Sequence, residues 1–341
     1  MKRLILSLLI AFASSATAFA ADKLHLYTWE DYVSPDLVKR FEKENKCEVV
    51  IDTFDSNETM FAKLKAGSTG YDLIVPTSYM VKVMNDQGML LPIDQAQVPN
   101  IKNIDPSALT KVYDKKMEHS VPYTLGYAVF AYRTDKVKKV EASWNVFART
   151  DVKKRMTLFD DMRETIGAAL KHLGYSLNTR DEKQLAEARD LVIKWKKNIA
   201  KFDNEGYKAG LDSGEFVVVQ GYSGDLWQVA QENDKVAIVI PKEGVSMSCD
   251  EFVIPKSAPN SKLAHAFINF LLDPKVSAEN MEWMGYLCPN TEGLKHVGED
   301  FLKNPAVTIP EEIRAKCEAI EELGEDLAKY TKVWDEIKAA K

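Results

Sequence analysis

Apolar and polar positions alternate near the start of the chain in a pattern that predicts strands and helices in regular succession. The apolar run in "YDLIVP" is typical of a parallel strand that is buried on both faces. Strands alternating with helices predict a doubly wound α/β sheet, and ligands bind such sheets at the carboxyl ends of the strands. The predicted elements are a strand at 23–29, a helix at 34–45, a strand at 47–54, a helix at 56–67, a strand at 71–76 and a helix at 78–88. Ser34 and Pro35 are expected at the N-cap and first position of the first helix.

A second α/β block follows from residue 128. Its predicted elements are a strand at 128–135, a strand and helix within 155–174, a helix at 181–199, a strand and helix within 214–233, strands at 235–241 and 249–255, a helix at 261–274 and a largely helical region at 309–340. The chain is expected to leave the first block near residue 130 and to return near residue 247. We therefore predict two α/β lobes, made of 21–130 with 247–298 and of 131–246 with 299–341. Two crossings between the lobes would form a hinge and a cleft.

The first twenty residues have the pattern of a secretory signal peptide. Lys2 and Arg3 precede an apolar run at 4–13, and "AFA" at 18–20 is a small-residue cleavage site. The apolar run is short for a transmembrane helix, although a membrane anchor is the alternative interpretation. We expect cleavage near Ala20 and an exported protein.

The charge balance of the exported chain argues against nucleic acid as a partner. Without residues 1–20 the chain has 43 lysines and arginines against 51 acidic residues, a net charge of −8. Nucleic-acid binding needs clustered positive charge, so an acidic chain fits a cationic partner better.

Signatures of enzymes and metal sites are weak. The segment "GYSGD" at 221–225 approaches a nucleophile elbow, but Asp225 replaces the second glycine. Asp161 and Glu164 share a helix face and could be an acid/base pair, or could simply complement the helix dipole. The five histidines and four cysteines have no metal-ligand spacing, so we predict no metal and no cofactor. An exported chain permits disulfides, and pairing of Cys249 with Cys288 stays open.

Aromatic and acidic side chains cluster at the predicted strand ends in both lobes. Several such clusters at strand ends indicate a binding site more strongly than one would. The clusters are Trp29, Glu30, Asp31 and Tyr32; Thr77, Ser78 and Tyr79; Asp160, Asp161 and Glu164; Tyr222 and Asp225; Asp250 and Glu251; and Tyr286.

This mixture of side chains suits an organic cation with an apolar body. Each ammonium group needs a carboxylate to replace its lost hydration, because a buried unpaired charge is costly. Aromatic rings supply flat apolar walls for the methylene chain and add cation–π attraction. A polyamine has both properties.

At these residues the sequence resembles the periplasmic spermidine/putrescine (polyamine)-binding proteins of ABC transporters. The resemblance covers essentially the whole exported chain. It is carried by "YTWEDYVSPDLVKRFEKE", "DSNETMFAKLKAG", "YDLIVPTSYMV", "FDDMRETIGAALKHLGYS", "PKEGV", "INFLLDP" and "MGYLCPN". It implies a type II periplasmic binding protein fold, in which two lobes with mainly parallel sheets are joined by hinge strands and close on the ligand.

The resemblance also implies roles for individual residues. Trp29 and Tyr32 match an aromatic wall, and Thr77 and Tyr79 match a hydroxyl and a ring on the same lobe. Asp161 and Glu164 match the acids that hold one amine, and Asp250 matches the acid that anchors another. Tyr222 lies where the family has a tryptophan, and Tyr286 matches a further aromatic contact.

Three positions depart from the family pattern. Ser248 replaces a tryptophan that stacks on the alkyl chain, and Glu30 replaces a small hydroxyl residue. Near Ile320 and Glu321 the expected amide side chain is missing. The fold and the transport role are therefore expected to hold, whereas the exact amine stays open.

We expect a monomer that delivers its ligand to an inner-membrane ABC permease. Agmatine or an amino acid is the alternative ligand, and Arg163, beside Asp161 and Glu164, is the arginine within these motifs that could meet a carboxylate. An exported hydrolase using Asp161 and Glu164, or a sensor that presents its closed form to a receptor, are the alternatives from other classes.

Overall fold

The computed structural model describes residues 22–110, 112–304, 307 and 309–340, with the side chains of Thr110 and Lys303 left out. The predicted signal peptide lies outside these residues. The strands are β1 (Asp22–Thr28), β2 (Cys47–Thr53), β3 (Leu73–Ile74), β4 (Ser120–Arg133), β5 (Met156–Leu158), β6 (Lys201–Phe202), β7 (Val218–Tyr222), β8 (Val236–Val239), β9 (Ser246–Val253) and β10 (Glu318–Ala319). The α-helices are α1 (Pro35–Asn45), α2 (Asn57–Lys65), α3 (Ser78–Asp86), α4 (Met162–His172), α5 (Glu182–Lys196), α6 (Tyr207–Ser213), α7 (Ser223–Glu232), α8 (Ser261–Leu271), α9 (Pro274–Met284), α10 (Glu299–Lys303), α11 (Glu311–Arg314) and α12 (Leu327–Ala339).

The strands form a mixed sheet in the order β2-β1-β3-β9-β4-β7-β5-β6, with β10 beside β9 and β8 beside β4. The outer pairings β1–β2, β1–β3, β5–β6 and β5–β7 are parallel. The long strand β4 pairs antiparallel with β9 through its first half and with β7 and β8 through its second half. One strand therefore belongs to both halves of the molecule.

Buried apolar side chains separate into groups on either side of this crossing. Tyr127 to Ala131 and Met247 pack in one large group, together with Ile309. Tyr123 and Phe252 pack in the other, together with Phe301 and Val307. The division into lobes at 21–130 with 247–298 and at 131–246 with 299–341 stays a prediction.

Most predicted elements are present, and the structure differs from the prediction in a few of them. The strand predicted at 71–76 is reduced to two paired residues, and the strand predicted at 128–135 begins earlier, at Ser120. Helix α9 was not predicted, nor was α6, which is short and bounded by glycines. Strand β10 interrupts the predicted helical region.

Ser34 lies at the N-cap of α1, but its side chain forms no capping hydrogen bond. Ser56 does cap α2, by accepting from the Thr59 N–H at 3.2 Å. The four cysteines are unpaired, including Cys249 and Cys288. Over the described residues no helix is both long and apolar enough to cross a membrane.

Candidate ligand-binding site

A cavity of about 430 Å³ lies between the two halves. All ten side chains predicted as ligand contacts line it. They are Trp29, Glu30, Tyr32, Thr77, Tyr79, Asp161, Glu164, Tyr222, Asp250 and Tyr286. Several follow the carboxyl ends of β1, β3, β5 and β7. The ends of β1 and β3 face those of β5 and β7 across the cavity, because β3 runs in the same direction as the long crossing strand β4, whereas β5 and β7 run opposite to it.

The segment after β1 is held in place by a buried asparagine on α9. The Asn280 side chain accepts a hydrogen bond from the Ser34 N–H at 2.9 Å and donates to the Tyr123 hydroxyl at 2.8 Å. The Tyr123 hydroxyl in turn donates to the Tyr32 carbonyl. Trp29 is fixed separately, because its indole N–H donates to the Val75 carbonyl at 2.9 Å. These bonds position two rings of the cavity wall.

Asp250 is a buried carboxylate surrounded by hydroxyl groups. The hydroxyls of Tyr32 and Thr77 each donate to it at 2.6 Å, and that of Thr124 at 3.3 Å. Burial raises the pKa of Asp250 from its ordinary value, while these hydroxyl donors oppose the rise. No lysine or arginine within the described residues forms an ion pair with this carboxylate. Its negative charge is solvated by hydroxyls but not neutralised.

A second acidic position lies at the N-terminus of α4. Asp161 caps this helix by accepting from the Arg163 and Glu164 N–H groups at 2.7 and 3.0 Å. The Ser246 hydroxyl donates to the Glu164 carboxylate. Burial, followed by the charge of Asp161, raises the pKa of Glu164 to about 8. Asp161 therefore lies at the helix N-terminus, as the helix-dipole interpretation predicts. The side chains of Asp161 and Glu164 also line the cavity.

Arg163 lies next to these acids but bonds elsewhere. Its two terminal nitrogens donate to the Glu321 carbonyl at 2.9 Å and to the Asn178 side-chain oxygen at 2.7 Å. Its charge nevertheless lowers the pKa values of Asp161 and Glu164, against the larger effect of burial.

A third acidic position is Asp225, in the first turn of α7. The Tyr207 hydroxyl donates to its carboxylate, and the Tyr286 hydroxyl does so at 3.1 Å. Burial raises the pKa of Asp225, while the Lys208 ammonium, 4.0 Å away, opposes the rise. The elbow-like "GYSGD" segment therefore presents an acid to the cavity.

Aromatic rings form the walls between the acids. The Trp29 ring centroid lies 4.4 Å from that of Phe54 and 6.4 Å from that of Tyr32. The Tyr32 and Tyr286 centroids are 5.4 Å apart. The half-buried Tyr222 ring packs on Phe159 at 4.5 Å. An apolar chain between two charged ends would be covered by these faces.

The departures from the family pattern also lie at the cavity. Ser248 and Ile320 line it, and Glu30 is an exposed residue at its rim. Glu321 does not line the cavity, and its backbone carbonyl accepts a hydrogen bond from Arg163.

Several lining residues were missed by the sequence analysis, among them Asn57, Tyr207 and Lys208. Asn57 exchanges two hydrogen bonds of 3.0 Å with Thr77. Tyr207 and Lys208 lie on the unpredicted helix α6. The motif "DSNETMF" could have indicated Asn57. Helix α6 is too short for its apolar pattern to predict it. Among the described residues, no group of histidine, cysteine or acidic side chains is placed to hold a metal ion.

The chain is similar to known proteins of one class. Residues 36–309 match the family described as "Bacterial extracellular solute-binding protein". The putrescine/cadaverine-binding protein of Pseudomonas aeruginosa is 34% identical over 352 residues, covering 99% of each chain.

Solved structures with the same architecture include a lipoprotein and a substrate-binding protein. The TpPotD lipoprotein of Treponema pallidum has 37% identity and a TM-score of 0.83, covering 93% of this chain and 99% of its own. The spermidine/putrescine ABC transporter substrate-binding protein PotD of Streptococcus pneumoniae has 32% identity and a TM-score of 0.81, with coverage of 93% and 99%.

Proposed function

Because the chain belongs to the family of bacterial extracellular solute-binding proteins, we propose that it captures a polyamine of the putrescine/spermidine class and delivers it to an ABC permease. The observation that carries this proposal is the alternation of buried carboxylates with aromatic rings around one cavity. The fold is that of a two-lobe, type II periplasmic binding protein. We propose that its lobes meet at the crossings in β4 and in β9.

Two of the acidic positions are suited to hold the ends of the ligand. Asp250 would pair with one ammonium group, since three hydroxyls orient its carboxylate and leave its charge unmatched. Asp161 and Glu164 would pair with another. Trp29, Tyr32, Tyr222 and Tyr286 would cover the methylene chain, and burial of that chain strengthens both ion pairs by excluding water.

Arg163 supports a cationic ligand over an amino acid. A ligand carboxylate is best bound by the paired N–H groups of an arginine. Both terminal nitrogens of Arg163 already donate to protein oxygens, and its buried Nε–H, which has no partner among the described residues, is a single donor and not a pair. Arginine and γ-aminobutyrate are therefore poor candidates.

Hydrogen bonds across the cleft would couple binding to closure. The Tyr286 hydroxyl donates to Asp225, and the Gln228 amide donates to the Met284 carbonyl at 3.1 Å. A ligand that contacts both lobes favours this closed arrangement by its differential affinity, and the closed shape is what the permease reads. We further propose that the protein acts in the periplasm, as a monomer, after cleavage near Ala20, and without catalysis.

A thermal-shift panel on protein that has been unfolded and refolded to remove carried-over ligand tests this function. The panel contains putrescine, cadaverine, spermidine, spermine, agmatine, arginine and γ-aminobutyrate at two salt concentrations. A ligand at 100 times its Kd stabilises by about 2.7 kcal/mol, which raises the melting temperature by several degrees. We expect shifts with polyamines and none with arginine or γ-aminobutyrate.

The opposite pattern, with shifts from amino acids alone, would exclude a polyamine. Mass spectrometry of the amine recovered after incubation adds a check on catalysis. The proposal requires the recovered amine to be chemically unchanged.

A further inference from the structure

A lysine of the protein occupies one end of the cavity. Lys208, on α6, places its ammonium group 2.8 Å from the Asp31 carboxylate and 2.9 Å from the Gln228 side-chain oxygen. The same ammonium lies 4.0 Å from the Asp225 carboxylate. Asp31 and Lys208 belong to opposite halves of the molecule, and three-quarters of the lysine side chain is covered.

The Lys208 ammonium group keeps its charge in this position. Although burial lowers it, the net pKa of Lys208 is raised, because Asp225, Asp31 and Glu30 surround the group with negative charge.

The three acidic positions differ in what neutralises them. Asp250 receives only hydroxyl donors, and Glu164 receives the Ser246 hydroxyl. Arg163 lies near Glu164 but donates to other oxygens. Among the ion pairs of the described residues, only Asp225 has a lysine partner within the cavity. The chain supplies its own ammonium group at one of the three positions.

The two remaining acidic positions, Asp250 and Glu164, lie alongside strand β9. Ser246, Ser248 and Asp250 alternate on the same face of β9, and Ser246 and Asp250 are four residues apart, about 13 Å along the strand. Glu164 is bonded to Ser246 at one end of this line, and Ser248 lines the cavity between the ends. Asp225 is reached from Asp250 by a different route, through the Tyr32 and Tyr286 rings.

We propose that Lys208 is a specificity-determining residue that restricts the site to ligands with two ammonium groups, α,ω-diamines, over triamines. This inference rests on the function proposed above. A diamine would span the Asp250 and Glu164 positions. The third ammonium of a longer amine would meet the Lys208 ammonium, a like charge that must be displaced from Asp31 and Asp225.

Calorimetric titration of refolded protein with putrescine and with spermidine tests the inference. The variants are Lys208→Met, which keeps an unbranched side chain one atom shorter and removes the charge, and Lys208→Arg, which keeps the charge. Lys201→Met is the matched control. It removes the same charge from an ion pair with Asp203 in the same half, away from the cavity.

We expect the wild type to bind putrescine at least tenfold more tightly than spermidine. Lys208→Met should reduce this preference by tenfold or more, mainly through tighter binding of spermidine. Lys208→Arg and Lys201→Met should keep the wild-type preference. Lys208→Gln gives the same comparison if the methionine variant fails to fold.

Two results would overturn the inference while leaving the proposed function intact. One is a wild type that binds spermidine as tightly as putrescine. The other is a Lys208→Met variant that weakens both amines equally, which would make the lysine only a clamp between the lobes. Absence of binding to any amine by the wild type would instead contradict the proposed function itself.

Discussion

Tyr32 and Asp250 are 218 positions apart in the sequence, and the Tyr32 hydroxyl donates a hydrogen bond of 2.6 Å to the Asp250 carboxylate. The aromatic wall and the anionic anchor of the cavity are therefore one unit. A ligand that stacks on the Tyr32 ring is brought next to the carboxylate that this ring orients.

Replacing Asp250 by asparagine should abolish most of the binding. The substitution keeps the size of the side chain and an oxygen for the hydroxyl donors, but removes the charge that pairs with an ammonium group. Loss of one partner of a buried charge pair costs about 2–5 kcal/mol, so the Kd for putrescine should rise at least about thirtyfold. Calorimetric titration measures this change.

Glu251→Gln is the matched control for Asp250→Asn. Glu251 is the next residue on β9, faces the other side of the sheet, and is outside the cavity. Its carboxyl accepts from the Ser120 hydroxyl at 2.5 Å, and burial raises its pKa to about 7. Equal losses of affinity in the two variants would mean that Asp250 has no specific role.

Binding of a diamine should strengthen as the pH rises. Burial and Asp161 raise the pKa of Glu164 to about 8, so in the empty site this side chain is protonated below that pH. A ligand ammonium favours the carboxylate form and displaces the proton. The affinity should therefore increase by up to about tenfold per unit between about pH 6 and pH 8, and level off above.

Proton release measures this coupling directly. Titrations in buffers of different ionisation enthalpy should show up to one proton released per ligand near neutral pH. In Glu164→Gln the release and the pH slope should disappear, and the two proteins should have similar affinities at the acidic end. An unchanged slope in this variant would assign the titration to another group.

Asn280→Ala should weaken both the fold and the site. Asn280 has no solvent exposure, and its removal leaves the buried Ser34 N–H without an acceptor and takes from the Tyr123 hydroxyl the hydrogen bond that it accepts, although that hydroxyl still donates to the Tyr32 carbonyl. Each unsatisfied buried group costs about 1–3 kcal/mol, so the free energy of unfolding in urea should fall by about 2 kcal/mol or more. Putrescine affinity should also fall, because the Trp29–Tyr32 segment loses its support.

Substitution of an exposed asparagine, Asn145→Ala, is the control for Asn280→Ala. It should change the free energy of unfolding by less than about 0.5 kcal/mol. If the free energy of unfolding changes as little in Asn280→Ala as in this control, Asn280 does not support the segment after β1.

Ser248→Trp should tighten diamine binding. Ser248 lies between the Asp250 and Ser246 positions on β9 and is half-buried at the cavity wall. An indole there would cover the methylene chain and could contact an ammonium group, which is worth about 0.5–1.5 kcal/mol, or about two- to tenfold in Kd. Ser248→Ala should leave the Kd nearly unchanged. Weaker binding in the tryptophan variant would show that the space beside Ser248 is needed by the ligand.

Much of the site could be predicted because its residues stand at strand ends. The apolar runs before Trp29, Thr77, Asp161 and Tyr222 predict strands, and the ends of parallel strands lie at one edge of a sheet. The strand ends of the two halves face one cavity, which explains why the predicted side chains that follow β1, β3, β5 and β7 line it, whereas Asp250 lies within β9 and Tyr286 follows α9. Their binding roles remain proposals for the variants above to test.

The sequence alone was least informative where the partners are distant. Its local patterns determined the order of strands and helices and the chemistry of the cavity, because burial of an apolar face imposes a periodicity on neighbouring residues. Only the tertiary structure decided that Lys208 meets Asp31, that Ser246 meets Glu164, and that Asn280 supports the segment after β1. These contacts join residues 177, 82 and 246 positions apart, and they depend on how the elements of each half pack together and, for Lys208 and Asp31, on how the two halves meet across the cleft. No local periodicity records that packing, since each partner is a polar residue whose position along its own element fits many arrangements equally well.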